Sequence, residues 1–247
     1  MPTDFSEEKS PYWGFWATIG FSLLVFVSFS ILQATIVLIY GFSLHDWSID
    51  SAELESVILS LAYNGDAISI AEIPSALIGT FFVVFLAYNR KILTIKEYLD
   101  LRTPNILDLL KWLGLMILVV IIMESVNVLL DRETPDFMSK VYESTTYKPL
   151  LWIAVVIGAP FFEEFLFRGF LLEGLRHSKL GVVGAIFITS AIWAVIHLQY
   201  GTFEIFTIFL IGIVLAMAKI RTKSLYVPIA MHLFMNLTAS VLMEFTV

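Results

Sequence analysis

The sequence contains no cysteine, which excludes disulfides and thiolate chemistry from its fold and its function. Charged residues are scarce as well: they form 15% of the 247 residues, whereas soluble domains contain about 25%. The formal net charge of −7 at pH 7 argues against a nucleic-acid partner, because nucleic-acid binding requires a basic face. The composition therefore sets aside both a disulfide-stapled secreted domain and a nucleic-acid-binding protein.

The residues that are abundant are apolar. Hydrophobic residues make up 58% of the chain and the mean hydropathy is +0.85. They fall into runs long enough to cross a bilayer, which takes about 20 residues as a helix. We predict an all-α, polytopic membrane helical bundle of about seven transmembrane helices. The predicted spans are Trp13–Tyr40, Ile73–Tyr88, Asp108–Leu130, Pro149–Leu175, Leu180–His197, Phe203–Ala218 and Leu225–Met243.

Lys and Arg are distributed unevenly between the predicted loops. Outside the spans, 11 cations fall on one side of the membrane and 3 on the other, and residues 43–72 carry none. By the positive-inside rule the N-terminus is cytoplasmic and the C-terminus extracytoplasmic. We therefore expect a cytoplasmic tail at residues 1–12 and a single membrane domain at residues 13–247, with a candidate catalytic region at about 149–243.

The N-terminal apolar run is much longer than the core of a signal peptide, so we expect it to be retained as a membrane anchor. The short chain, the small loops and the lack of an organelle-targeting signal favour a bacterial protein of the inner, or plasma, membrane. We also predict a short surface helix at Ser51–Ala62 in the acidic loop after the first span.

Three ionisable residues interrupt the fourth predicted span: Glu163, Glu164 and Arg168. A charged side chain at the centre of a membrane helix costs roughly 2.5 to 3.5 kcal/mol, so such groups are kept where they pair, meet water or act chemically. Residues four apart share a helix face, so Glu164 can pair with Arg168. Glu163 then needs a partner from another helix, and we expect His197 or His232.

Two later spans carry further polar residues at four-residue spacing. Trp193 precedes His197 in the fifth span, and His232 precedes Asn236 in the seventh. A carboxylate, two imidazoles and an amide are the groups that hydrolysis of a carbonyl compound needs: a base for water, an acid for the leaving group and donors for the oxyanion. The structural alternatives are an ion-pair network that only fixes packing and single hydrogen bonds between helices, each worth about 1 kcal/mol.

Counting residues places these polar groups at different depths in the membrane. Counted at about 1.5 Å per residue from the predicted cytoplasmic helix ends, Glu163 lies ~18 Å deep, His197 ~26 Å and His232 ~11 Å. Pro160 and Pro228 fall inside the fourth and seventh spans and are expected to kink or loosen them. The role of Glu124, near the outer end of the third span, stays open between a structural and a cavity-lining one.

Taken in order, three motifs resemble those of the CAAX-protease and bacteriocin-processing family, also called the Abi family, and of its Rce1-type members. The motifs are Glu163-Glu164-x-x-x-Arg168, Trp193-x-x-x-His197 and His232-x-x-x-Asn236. The family usually has Phe at the position of Trp193, so the aromatic character is kept.

The resemblance implies an intramembrane endopeptidase. In it, Glu163 would activate water with help from His197, and His232 and Asn236 would stabilise the oxyanion. The remaining matches would be supporting residues: Glu164, Arg168 and Trp193. The implied substrate is a membrane-associated peptide or protein, held at or within the lipid bilayer, and no cofactor is favoured.

Two other functions remain open. A zinc-dependent protease could use Glu163, His197 and His232, because two histidines and a glutamate with one open position form a known catalytic zinc set. A non-catalytic membrane scaffold, immunity protein or transporter-like protein could use the polar cluster for binding only. The small number of spans and the absence of an internal repeat weigh against a secondary transporter.

Overall fold

The computed structural model describes residues 10–44 and 54–246, and this part of the chain forms ten helices and no strand. Residues 1–9 of the predicted tail, positions 51–53 at the start of the predicted surface helix and the last residue lie outside the described residues. The helices are α1 (Phe15–Leu44), α2 (Leu54–Leu61), α3 (Gly65–Asn89), α4 (Ile95–Tyr98), α5 (Ile106–Leu129), α6 (Asp136–Glu143), α7 (Lys148–Arg176), α8 (Gly181–Val195), α9 (Thr202–Thr222) and α10 (Tyr226–Thr246).

Each of the seven predicted spans corresponds to a helix. Among the described residues six helices are long and apolar enough to cross a membrane: α1, α3, α5, α7, α9 and α10. The seventh, α8, has 15 residues and therefore extends only about 22 Å, less than the roughly 30 Å of a hydrocarbon core. The predicted class, a polytopic helical membrane bundle, is confirmed.

The predicted start of the second span, Ile73, is wrong by eight residues. Helix α3 begins at Gly65, where the side chain of Asn64 accepts a hydrogen bond from the amide of Ala67 at 2.8 Å. This N-cap satisfies one of the free amides of the first turn. The earlier start places Glu72, which the sequence assigned to a loop, inside a membrane helix.

Helix α7 occupies the centre of the bundle and contains two π-helical segments, at Ile153–Gly158 and Glu164–Leu171. Pro160 explains the first, because proline lacks an N–H and its ring crowds the carbonyl four residues earlier. The predicted loosening at Pro160 is therefore present. The predicted kink at Pro228 is wrong, since Pro228 is the third residue of α10, where a missing N–H costs little.

Close helix approach brings α3 against the site-bearing part of α7. A Cβ atom at Gly79 would lie 2.5 Å from the ring of Phe162, so a residue larger than glycine would force this ring to move. The Phe162 ring also stacks on Phe29 of α1 at a centroid distance of 4.2 Å. These contacts fix α1 and α3 beside Glu163, the next residue of α7.

The position at which α10 begins explains why His232 lies deeper than the residue count predicted. The Leu225 amide donates to the carbonyl of Asp100 at 2.9 Å, and the Leu225 side chain packs against Gly169 of α7. Helix α10 thus begins beside Gly169, only five residues past Glu164, rather than level with the end of α7. This inward start brings His232 to Glu164.

A buried ion network holds the bundle end where α7 and α9 finish. Lys219 is fully buried and donates to Asp100 at 2.7 Å and to Glu173, which is also fully buried. Arg176 pairs with the other oxygen of Glu173 at 2.7 Å. The network ties α7 and α9 to the segment before α5, and it is charge-balanced apart from the flanking surface groups.

Candidate functional site

Glu164 is fully buried and binds two cationic or polar partners through one oxygen. Its Oε1 accepts from Arg168 Nη1 at 2.8 Å, the pair that the spacing predicted, and lies 2.9 Å from His232 Nδ1. Its Oε2 is buried and has no hydrogen-bond partner among the described residues. Because the Glu164 carboxylate can only accept, Nδ1 of His232 is the donor, and the proton at that nitrogen is fixed.

Arg168 is held on three sides. Besides Glu164, its Nη2 approaches the carbonyl oxygen of Gly212 on α9 at 3.4 Å, and its guanidinium lies 4.4 Å from the ring centroid of Trp193. The side chain is 1% exposed. Arg168 therefore joins α7 to both helices of the α8–α9 hairpin.

Trp193, 1% exposed, lies at the centre of the site. Its indole Nε1 donates to Glu163 Oε2 at 2.5 Å. The indole also makes edge-on contacts with the rings of His197 and His232, each at a centroid distance of 5.3 Å. The hydrogen bond from another helix that Glu163 required thus comes from the indole, and the expectation of a direct histidine partner is wrong.

The position of His197 follows from its own helix end. Its Nδ1 lies 2.7 Å from the carbonyl oxygen of Trp193, and a carbonyl can only accept, so Nδ1 carries the proton. In the neutral ring Nε2 is then an acceptor. His197 is partly exposed, in the turn after α8, and its ring stacks on that of Tyr200 at 6.3 Å.

Asn236 compensates for Pro160. In the first π segment the amide of Ala159 donates to Ala154, so the π-helical donor to the Val155 carbonyl would be residue 160, which has no N–H. Asn236 Nδ2 donates to this Val155 oxygen at 2.7 Å. One N–H of the amide is thereby used to anchor α10 to α7, and the second N–H of Nδ2 is left for another acceptor.

Two groups beside the site were missed by sequence reasoning. Glu72 of α3 is 7% exposed, and its Oε2 accepts from Gln33 Nε2 of α1 at 2.6 Å. Glu72 was missed because α3 was predicted to begin after it. The Asn64-Gly65-Asp66 sequence, a helix N-cap followed by an acidic first turn, was the signal that could have extended the helix.

Tyr200 was the other group, in a turn that the sequence treated as a connection only. Burial and the nearby Glu163 carboxylate raise the pKa of its hydroxyl to about 12, so the phenol is neutral at physiological pH. Tyr200 also lines a cavity of about 460 Å³ between the α5–α6 and α8–α9 connections, with Arg132, Phe137 and Glu204. The cavity therefore reaches the tyrosine that stacks on His197.

The zinc alternative requires Glu163, His197 and His232 to converge on one ion. Across the described ranges 10–44 and 54–246, no three His, Asp or Glu side chains are grouped so that they could hold a metal ion. In this structure the Glu163 carboxylate binds the indole of Trp193, and Nδ1 of His232 binds Glu164. We therefore derive no chemical step through a metal at this site.

Comparison with known proteins identifies the same region. Residues 145–238 match the family described as type II CAAX prenyl endopeptidase Rce1-like. A protein of Escherichia coli, described as an uncharacterized 24.3 kDa protein, is 29% identical over 156 residues, which cover 61% of this chain and 70% of that protein. No solved structure matches.

The matched segment contains every candidate residue of the three motifs and both π segments of α7. The similarity supports protease activity in general, carried out by a membrane-embedded helical protein. The resemblance drawn from the three motifs is thus confirmed: residues 145–238 are similar to the Rce1-like family.

Proposed function

We propose that the protein is an intramembrane endopeptidase that hydrolyses a peptide bond of a membrane-associated peptide or protein. One observation carries the proposal. The Glu163 carboxylate is held by the Trp193 indole next to His197, and the hydrogen bond at Nδ1 of His197 leaves its Nε2 as an acceptor. Two acceptors in a largely apolar site are suited to orienting and deprotonating a water molecule.

In this reaction a water molecule lies between Glu163 and His197. Glu163 takes one proton as the water oxygen attacks the scissile carbonyl carbon, which gives a tetrahedral oxyanion. Collapse of that intermediate breaks the C–N bond, and the leaving amine takes up a proton. The products are a carboxylic acid and an amine, and the proton removed from water balances the one that the amine gains.

The oxyanion needs donors on the opposite side. We assign His232 and Asn236 to this task. With Nδ1 of His232 bound to Glu164, a second proton on Nε2 would make an imidazolium donor next to the site. Asn236 offers the N–H that does not bind Val155. Glu164 and Arg168 support this side by holding the His232 ring and its charge balance.

The reaction needs no metal in this account. Purified protein in detergent is expected to cleave a peptide from a quenched-fluorescence library at the same rate before and after treatment with a zinc chelator. Metal analysis of the same sample is expected to give far less than one zinc per chain. Loss of cleavage on chelation and its return with zinc, at stoichiometric metal content, would establish the zinc mechanism instead.

Trp193 gives a prediction of moderate size. Trp193→Phe keeps an aromatic ring but removes the hydrogen bond to the Glu163 carboxylate, and hydrogen bonds to charged groups are worth about 1.5 to 3 kcal/mol. We expect kcat to fall roughly 10- to 100-fold with little change in KM. Phe187→Leu, on the outward face of the same helix, is the control. An unchanged kcat in Trp193→Phe would show that the indole does not position Glu163.

We place the protein in a bacterial inner membrane with its N-terminus in the cytoplasm and its C-terminus outside. The distribution of Lys and Arg supports this orientation. In this orientation the cavity beside Tyr200 lies on the extracytoplasmic side, because the connections after α5 and α8 form it. A substrate segment could reach His197 through this cavity.

A further inference from the structure

Glu72 is a buried carboxyl group beside the site that the proposed reaction has not yet used. Its Oε2 is held by Gln33, whereas its Oε1 is buried and has no hydrogen-bond partner among residues 10–44 and 54–246. Glu164 also has an unpartnered oxygen, but Arg168 balances its charge, whereas Glu72 forms no salt bridge among the described residues. An ionised oxygen without a donor or a balancing cation is costly to shelter from water. The cost is lower when Glu72 is protonated on Oε1, because the neutral carboxyl group has a hydrogen to donate.

The packing of α3 on α7 sets the level of this group. Gly79 lies against Phe162, and the side chains of Ala76 and Glu72 lie against Gly158, each 3.8 Å from a Cβ placed there. The two helices therefore run parallel, with Glu72 level with Gly158, five residues before Glu163.

Side chains on a helix lean towards its N-terminus, so the Glu163 carboxylate extends from its own level towards that of Gly158. The Glu72 side chain and the Glu163 carboxylate therefore lie at neighbouring levels along α7. Asn236 reaches the same level, because its amide binds Val155. Glu72, Asn236 and the head of Glu163 thus lie at about the same level of α7, on three different helices.

We propose that Glu72 is a catalytic residue, the general acid that protonates the leaving amine, with Gln33 as its positioning residue. This inference rests on the endopeptidase function proposed above. The Oε1–H bond of Glu72 breaks as its proton passes to the amide nitrogen, and the C–N bond of the tetrahedral intermediate breaks with it. The proton that Glu163 took from water then moves to Glu72, which restores both groups for the next turnover.

The test compares two leaving groups. The probe is the library peptide that wild-type protein cleaves fastest, together with its thioester analogue at the scissile bond. A thiol has a pKa near 8.5, so a thiolate leaves without being protonated, whereas an amine cannot. We expect Glu72→Gln to lower kcat for the amide by about 100-fold or more and to leave the thioester rate near that of the wild type.

The controls separate this role from a structural one. Glu143→Gln changes a glutamate on the exposed face of α6 and should leave both rates unchanged. Glu163→Gln should lose both substrates, because each needs an activated water. If Glu72→Gln does not fold, as judged by thermal unfolding in detergent, Gln33→Leu gives the same comparison with the carboxyl group still present.

The outcomes are distinct. Full amide activity in Glu72→Gln, or equal losses with amide and thioester, would overturn the general-acid role while leaving the endopeptidase function intact. If wild-type protein cleaves no library peptide, the endopeptidase function fails and the role of Glu72 fails with it. Selective loss of amide cleavage supports both.

Discussion

Glu163→Gln is expected to abolish measurable peptide cleavage while the protein stays folded and inserted. Glutamine has the same shape and still offers an oxygen to the indole of Trp193, so the hydrogen bond that positions residue 163 is kept. It cannot accept a proton from water, and general-base catalysis is typically worth 10²- to 10⁴-fold. The measurement is kcat with a cleaved library peptide, read beside the melting temperature in detergent.

His197→Ala is expected to cause a loss of the same order, because the acceptor Nε2 disappears with the ring. Glu143→Gln is the matched control for the first change, since it makes the same substitution on an exposed helix face. Cleavage retained in either Glu163→Gln or His197→Ala, at normal melting temperature, would rule out their shared role in activating water.

Arg168→Ala is expected to destabilise the fold by about 3 to 5 kcal/mol. The change leaves the buried Glu164 carboxylate with His232 alone and removes the contact with Trp193. Breaking a buried pair is costly because the remaining charge stays uncompensated. Poor insertion and a low melting temperature should therefore appear before any specific loss of activity.

The double variant Glu164→Gln with Arg168→Met should recover much of that stability, since neutral groups of similar volume often replace a buried pair at little cost. Activity need not recover, because the pair also holds His232. The reference is Lys111→Met, which breaks an exposed pair with Asp108 at 3.5 Å and should change stability by about 0 to 1 kcal/mol. Equal stability of the single and double variants would show that Arg168 does not stabilise Glu164.

The sequence predicted best what depends on spacing within one helix. The contact of Glu164 with Arg168 follows from the four-residue spacing alone. The apolar runs located the six membrane-length helices of the described residues and the shorter apolar helix α8. The prediction that a histidine binds Glu163 was wrong, because the distance between α8 and α7 decides which side chain reaches the carboxylate. An indole at Trp193 is long enough to reach the carboxylate, which spacing could not reveal.

Contacts that depend on where a helix begins were beyond sequence counting. The depth of His232 was underestimated because α10 starts beside Gly169, held by the backbone bond of Leu225 to Asp100. Glu72 was missed because the predicted start of α3 left out the first turns of the helix. The ion network around Lys219 joins residues far apart in the chain, and none of them forms a motif.

We propose that Glu163 drives the cleavage of membrane-associated proteins or peptides. It is tested most directly by comparing N- and C-terminal peptides of membrane proteomes from cells that hold equal amounts of the wild-type protein or of Glu163→Gln. We expect new pairs of termini, in or next to membrane segments, that are present with the wild type and absent with the variant. Identical termini in both would contradict it and favour a binding-only membrane protein.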